Sequence, residues 1–276
     1  MEKLIFLDID GTLVDYHNQL PDSAAEAVRE ARGRGTRVYL CTGRLLDELN
    51  DEIVAVGFDG LIGGNGTYIK DGSEVLLDRS FSAQQEREIV DWLQSEGLAF
   101  YLETNDGLFA SPDFETEALA AVRAYHGDPD ITVREAFPSL RFGENLYRDD
   151  VKKISYALKD AGVRERAKAA FPGLKHGMWG GDGDRPLFGD IGVEGIDKGT
   201  AVRMITGRHG GPEAKTFAFG DATPDIPMFA VCDVSVAMGG GGPEVKEAAT
   251  ITAPRVEEDG LAHAFRELGL TGPGKG

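Results

Sequence analysis

The sequence predicts an α/β fold: a doubly wound, Rossmann-like parallel sheet with an α+β domain inserted into it. Three observations carry this expectation. Short apolar runs ending in acidic or glycine-rich punctuation recur towards both ends of the chain. Stretches with helical period follow them. Between about residues 83 and 190 that alternation gives way to a mixed pattern.

Lys3 to Leu7 is a short apolar run, as in a strand buried on both faces. Pro21, Asp22 and Ser23 open a helix that carries Ala24, Ala27, Val28 and Ala31 and stops near Gly33 and Gly35. Arg37 to Cys41 reads as a second strand, Leu45 to Val56 as a second helix closed by Gly57, and Gly60 to Ile62 as a third strand. Thr67 to Lys70, Asp71-Gly72, then Glu74 to Asp78 reads as a hairpin with a glycine-containing turn.

The mixed segment carries helical patterns near 83–96, 113–124 and 162–171, and strand patterns near 98–103, 107–110, 152–158, 174–178 and 187–191. The doubly wound pattern then resumes. Helices are expected at Lys198 to Arg208, Pro224 to Val231, Pro243 to Ala248 and Val256 to Leu268; strands are expected at Thr216 to Phe219 and Asp233 to Ala237. The expected division is 1–82 plus 191–276 for the core and 83–190 for the insertion. A length of 276 residues suits one large or two modest domains, and 41% hydrophobic residues suit a normal core.

Asp and Glu number 47 against 29 Lys and Arg, a net charge of −18. Such a surface repels nucleic acid and anionic membranes, and a cation must screen any phosphate bound to it; the plainer reading of the acidity is solubility. Cys41 and Cys232 sit in apolar runs without partner spacing, which favours small core residues over a disulfide or zinc site. The run Leu4 to Leu7 is too short for a signal peptide, and no apolar stretch approaches the ~18 residues that span a bilayer. A cytoplasmic protein is expected; the oligomeric state stays open.

Four places bear chemistry. Asp8-Ile9-Asp10-Gly11-Thr12 ends the first strand, where ligands of open α/β sheets bind. In an extended segment Asp8 and Asp10 point the same way, and two neighbouring carboxylates need a cation or a shared proton. The alternative is a strand end with Asp and Gly as turn formers. Thr42-Gly43-Arg44 ends the second strand and offers a hydroxyl and a bare glycine amide to an anion, although Thr-Gly ahead of a helix is also common loop chemistry. Lys198 stands at a helix start, against the dipole, so either it is solvated or something there wants its charge. Phe219-Gly220-Asp221, with Asp225 four residues on, again ends a strand in carboxylates that suit a hard cation such as magnesium; Thr223 or Asp221 could equally cap the helix that follows. Order and placement decide: all four fall at strand ends or helix starts on one sheet edge.

These elements resemble the motifs of the haloacid-dehalogenase-like (HAD) hydrolase superfamily, with a complete match to Asp-x-Asp-Gly-Thr at Asp8 to Thr12. An insertion between the second and third motifs resembles the Cof-type branch, which has a large α/β cap. Gly64-Asn65-Gly66, Ala237-Met238-Gly239, Glu244-Val245-Lys246 and Asp259-Gly260 also fit, so the likeness spans nearly the whole chain.

The resemblance implies a magnesium-dependent phosphatase acting on small phosphorylated metabolites, sugar phosphates foremost. By position, Asp8 would be the nucleophile that becomes an aspartyl-phosphate. Asp10 would protonate the leaving alcohol and then deprotonate water. Thr42, Gly43 and Lys198 would hold phosphoryl oxygens. Asp8, the backbone carbonyl of Asp10, and Asp221 would bind Mg2+, with Asp225 supporting from close by. Carboxylate attack on phosphorus requires neutralised repulsion, which magnesium and Lys198 supply.

The cap would close over the leaving group. Arg44, and in the insertion Lys153, His176, Trp179 and Arg185, are candidate substrate contacts; each of the latter four reads equally as a surface or core residue. The branch usually has Asn where this chain has Pro224, from which slower catalysis or a rearranged shell around the metal is expected. Gly240 departs likewise, where Asn is frequent. Two other readings share these residues: a phosphotransferase or phosphomutase on sugar phosphates, and a non-catalytic metabolite-binding protein. The second carboxylate, Asp10, argues against the latter.

Overall fold

The computed structural model describes residues 2–160, 162–180 and 186–272. Among these residues fourteen strands form two mixed sheets. They are β1 (Lys3–Leu7), β2 (Arg37–Cys41), β3 (Gly60–Gly63), β4 (Tyr68–Asp71), β5 (Glu74–Asp78), β6 (Phe100–Thr104), β7 (Gly107–Ala110), β8 (Leu140–Phe142), β9 (Lys153–Ala157), β10 (Lys175–Trp179), β11 (Phe188–Gly192), β12 (Lys215–Gly220), β13 (Val234–Ala237) and β14 (Ile251–Thr252). The expected α/β class is borne out, with a core sheet of parallel strands and a second, inserted sheet.

One unit comprises Met1–Arg44, Leu49–Asp78 and Ile196–Gly276; the other comprises Leu45–Glu48 and Arg79–Gly195. In the first, the strand order is β14-β13-β12-β1-β2-β3-β4-β5. The pairs from β14 to β3 are parallel, whereas β3, β4 and β5 run antiparallel as a meander. Strands β1 and β2 are almost wholly buried, as their unbroken apolar sequences require. Leu4, Phe6, Tyr39 and Cys41 pack on one face with Ala201, Val202 and Ile205 of the helix Lys198–Arg208. Cys232 is half-buried against the same cluster. On a separate contact, Phe219 meets Phe265 of the helix Gly260–Glu267 with ring centroids 5.0 Å apart.

In the second unit the order is β10-β11-β9-β6-β7-β8, antiparallel throughout except for the β7–β8 pair. Its core gathers Tyr101, Phe114, Val122, Val133, Leu140 and Phe188. The helices Ala83–Ser95 and Val163–Ala170 belong to this unit.

Several expected helices are broken. Leu45 to Val56 is a 3-10 turn (Leu46–Glu48) followed by the helix Asp51–Val56, because Asn50 is extended and its carboxamide accepts from the Ile53 N–H at 2.9 Å as an N-cap. Pro224 to Val231 is a 3-10 turn (Thr223–Asp225) and a short helix (Ile226–Phe229); Pro224 and Pro227 both lack the N–H that a continuous helix would use. Val256 to Leu268 is interrupted at Asp259, whose φ of 58° is left-handed. The 113–124 segment divides into Phe114–Glu117 and Leu119–His126. The helix Val133–Ala136 and the strands β8 and β14 have no counterpart in the sequence pattern; at two to four residues they are too short to show a period.

Candidate active site

The sheet register assembles the site. Leu7 of β1 pairs with Phe219 of β12 on one side and Leu40 of β2 on the other. The residues just beyond, Asp8, Asp221 and Thr42, therefore emerge along one carboxyl edge, at the point where β1 parts two crossovers running in opposite directions. The Asp8 N–H still donates to the Phe219 carbonyl at 3.0 Å, so the ladder continues into the site. Gly11 then turns the chain at φ 71°. A Cβ at that position would overlap the Asp221 carboxylate, so glycine is required both by conformation and by space.

Lys198 opens its helix behind the Asp197 cap, whose carboxylate accepts from the Thr200 N–H at 2.7 Å. Its Nζ lies 2.7 Å from Asp8 Oδ1 and 2.5 Å from Asp225 Oδ1, all three residues being buried. Burial works against the ammonium, yet the Asp225 and Asp8 carboxylates outweigh it and hold Lys198 above its ordinary range. The second oxygen of Asp225 accepts the N–H groups of Asp221 at 2.9 Å and Ala222 at 3.0 Å. Asp225 is thus spent on the lysine and on the turn that carries Asp221. Burial, with the Asp225 charge added, pushes the Asp8 carboxyl well above the usual carboxylate range. Burial likewise raises Asp221 to about 7, while the Tyr16 hydroxyl pulls it down.

Asp8, Asp221 and Asp225 each offer a carboxylate oxygen within 4.8 Å of the others. Asp221 Oδ1 is buried and has no hydrogen-bond partner among the described residues. Closely spaced buried carboxylates with an orphaned oxygen fit a hard divalent cation, which takes oxygen ligands and relieves their repulsion. Asp8 and Asp221 are the pair best placed to hold one, since Asp225 is already committed.

Asp10 lies outside that group of three carboxylates. β1 ends at Leu7 and the chain turns, with Thr12 and Leu13 donating to the Ile9 carbonyl, so the two motif carboxylates take different partners. Arg44 holds Asp10 through Nε to Oδ2 at 3.0 Å and Nη2 to Oδ1 at 2.5 Å, and also donates to Asn18 Oδ1. Thr42 is buried, and its hydroxyl accepts from the Arg44 N–H at 3.1 Å. Gly43 is half-buried, and a Cβ on it would make ordinary contact with Asn65 at 3.6 Å.

Two residues of this site carry no signal in the sequence. Tyr16 donates to Asp221 Oδ2 across 205 positions, and Asn18 receives Arg44. Both lie in a polar loop, where neither spacing nor period marks them.

In the inserted unit, Lys153 pairs with Glu103 at 2.7 Å. Trp179 stacks on Phe188 at 4.1 Å and donates to Ser155 Oγ at 3.2 Å; His176 Nε2 lies 2.9 Å from the Phe171 carbonyl. These side chains have partners within their own unit. Arg185 lies outside the described residues.

A family model described as haloacid dehalogenase-like hydrolase matches residues 5–265. The 5-amino-6-(5-phospho-D-ribitylamino)uracil phosphatase YcsE of Bacillus subtilis (strain 168) is 26% identical over 267 residues, covering 96% of this chain and 94% of its own. Among solved structures, BT1666 from Bacteroides thetaiotaomicron, studied among phosphatases of the haloalkanoate enzyme superfamily, superposes with a TM-score of 0.78 at 25% identity, over 98% of this chain and 96% of that one. The subclass IIB sugar phosphatase BT4131 shares the fold with a TM-score of 0.76 at 23% identity, over 97% and 99% of the two chains.

Proposed function

This chain belongs to the haloacid dehalogenase-like hydrolase family as a phosphatase of small phosphorylated metabolites, and on that premise we propose that it transfers the phosphoryl group to Asp8, with magnesium held by Asp8 and Asp221 and sugar phosphates as substrates. The observation that carries the mechanism is the buried Lys198 ammonium, 2.7 Å from Asp8 at the edge where Asp221 keeps one oxygen without a hydrogen-bond partner among the described residues. A nucleophilic carboxylate needs positive charge around it before it can approach a phosphate dianion. Bound there, magnesium would supply the remaining charge neutralisation.

The chain's own groups account for the other requirements. Asp8 attacks phosphorus as the bond to the leaving oxygen breaks, and Asp10 gives that oxygen its proton. Water then attacks the phosphorus of the aspartyl-phosphate, Asp10 takes the water's proton, and the bond to Asp8 breaks to release phosphate. One group thus serves as acid and then as base. Lys198, Thr42 and the Gly43 amide would meet the phosphoryl oxygens.

Support for a polyhydroxylated leaving group comes from the relatives: YcsE is named for a phosphoribityl compound and BT4131 as a sugar phosphatase. The test is phosphate release with and without Mg2+ from sugar phosphates, nucleotides, pyridoxal phosphate, flavin mononucleotide and 5-amino-6-(5-phospho-D-ribitylamino)uracil. Magnesium-dependent release, greatest with the sugar or ribityl phosphates and abolished in a folded Asp8→Asn variant, is expected. Turnover retained by Asp8→Asn would overturn the covalent route. A preference for nucleotides would overturn the substrate assignment.

A further inference from the structure

We propose that Tyr16 is a positioning residue for the metal: its hydroxyl fixes the Asp221 carboxylate in the orientation that presents Oδ1 to a divalent cation. This rests on Asp8 and Asp221 holding magnesium. An Asp side chain turns readily about its last torsion, so a buried carboxylate presents a chosen oxygen only if the other is anchored. Asp225 is anchored by two backbone N–H groups and Lys198. For Asp221 the anchor is the Tyr16 hydroxyl, which donates to Oδ2, while Oδ1 stays buried and without a partner among the described residues.

Tyr16 is itself held in place. The Asp15 carboxylate accepts the N–H groups of His17 and Gln19, both at 2.8 Å. Asn18 closes the turn at φ 59°, and its side chain receives Arg44. The hydroxyl lies 2.9 Å from where a Gly11 Cβ would stand, so the glycine leaves room for it. The ring is about half exposed, so losing the hydroxyl removes the anchor and spares the core. Groups that orient a metal ligand typically contribute 10–100-fold in metal affinity.

The experiment is calorimetric titration of the metal-free protein with Mg2+ alone, for the natural chain and Tyr16→Phe. Tyrosine difference spectra on metal addition and metal-free unfolding temperatures are recorded in parallel. A 10–100-fold weaker Kd in the variant, an unchanged metal-free unfolding temperature and loss of the Mg2+-induced tyrosine signal are expected. An unchanged or tighter Kd, a persisting signal, or a weakened Kd accompanied by a lowered unfolding temperature would overturn the role of Tyr16 alone. Failure of the natural chain to bind Mg2+ would instead overturn the metal site beneath it.

Discussion

Arg44 grips Asp10 with both edges of a fork, Nε 3.0 Å from Oδ2 and Nη2 2.5 Å from Oδ1. Such planar, bidentate geometry fixes direction as well as charge. Asp10 is otherwise fairly open, its side chain 39% exposed, so the guanidinium is what aims it.

A proton donor matters most for a poor leaving group. Arg44→Met is therefore expected to lower kcat/KM about tenfold, roughly 1.4 kcal/mol, for an alkyl phosphate. The loss should be much smaller for 4-nitrophenyl phosphate, whose phenolate departs without help. Asp10→Asn should show the same contrast at about 10²–10⁴-fold. Equal losses on both substrates would mean that Arg44 acts on the substrate directly rather than through Asp10.

Lys198 stands between two buried carboxylates, and its removal leaves both uncompensated. Lys198→Met should abolish turnover and destabilise the chain by about 3–5 kcal/mol at pH 8, the range for breaking a buried pair. Burial already raises the Asp8 carboxyl, and losing the ammonium raises it further. A carboxyl with a raised folded pKa binds more protons folded than unfolded, so stability falls as pH rises above its unfolded value of about 3.9. The variant's deficit should therefore shrink at pH 5. Urea unfolding at the two pH values decides it; a deficit independent of pH would contradict the account.

What the sequence made legible follows from locality. Asp8, Thr42 and Asp221 announce themselves because each ends an apolar run, and Lys198 because it opposes a helix dipole. Parallel strands in register then bring these ends together without further information. The pairing of Arg44 with Asp10, and of Tyr16 with Asp221, depends on side chains meeting from distant loops, which no period encodes. Helical period also runs on through the breaks at Asn50, whose side chain caps the start of a new helix, and at Asp259, whose left-handed backbone interrupts the turn.

Glu86 offers a titration remote from this chemistry. It is buried in the helix Ala83–Ser95, with Oε1 lacking a partner among the described residues. Burial pushes it up to about 7, against the pull of the Arg148 N–H and the Arg87 charge. Its folded pKa exceeds the unfolded value of about 4.3, so the folded chain holds the extra proton and stability declines as pH rises between those limits. Glu86→Gln should flatten that decline and leave the chain more stable at pH 8. Denaturant midpoints across pH 4 to 8 test it; an equally steep decline in the variant would rule Glu86 out as the source.

Pro224 stands where the resemblance implies an Asn, from which the sequence alone suggests slower catalysis or a rearranged shell around the metal. The structure argues for a smaller effect. Pro224 is exposed within the 3-10 turn Thr223–Asp225, and the neighbouring Asp225 takes its orientation from the N–H groups of Asp221 and Ala222 and from Lys198. None of these partners is a side chain at 224. Pro224→Asn should therefore change kcat by less than about threefold, below 1 kcal/mol. The proline also narrows the unfolded ensemble at a position whose backbone accepts it, so the substitution should cost about 0.4–1 kcal/mol of stability. Steady-state kinetics beside thermal unfolding separate the two effects. A tenfold gain in turnover would show that an amide at 224 reaches the metal or the substrate after all, and that backbone support of Asp225 is not sufficient for full rate.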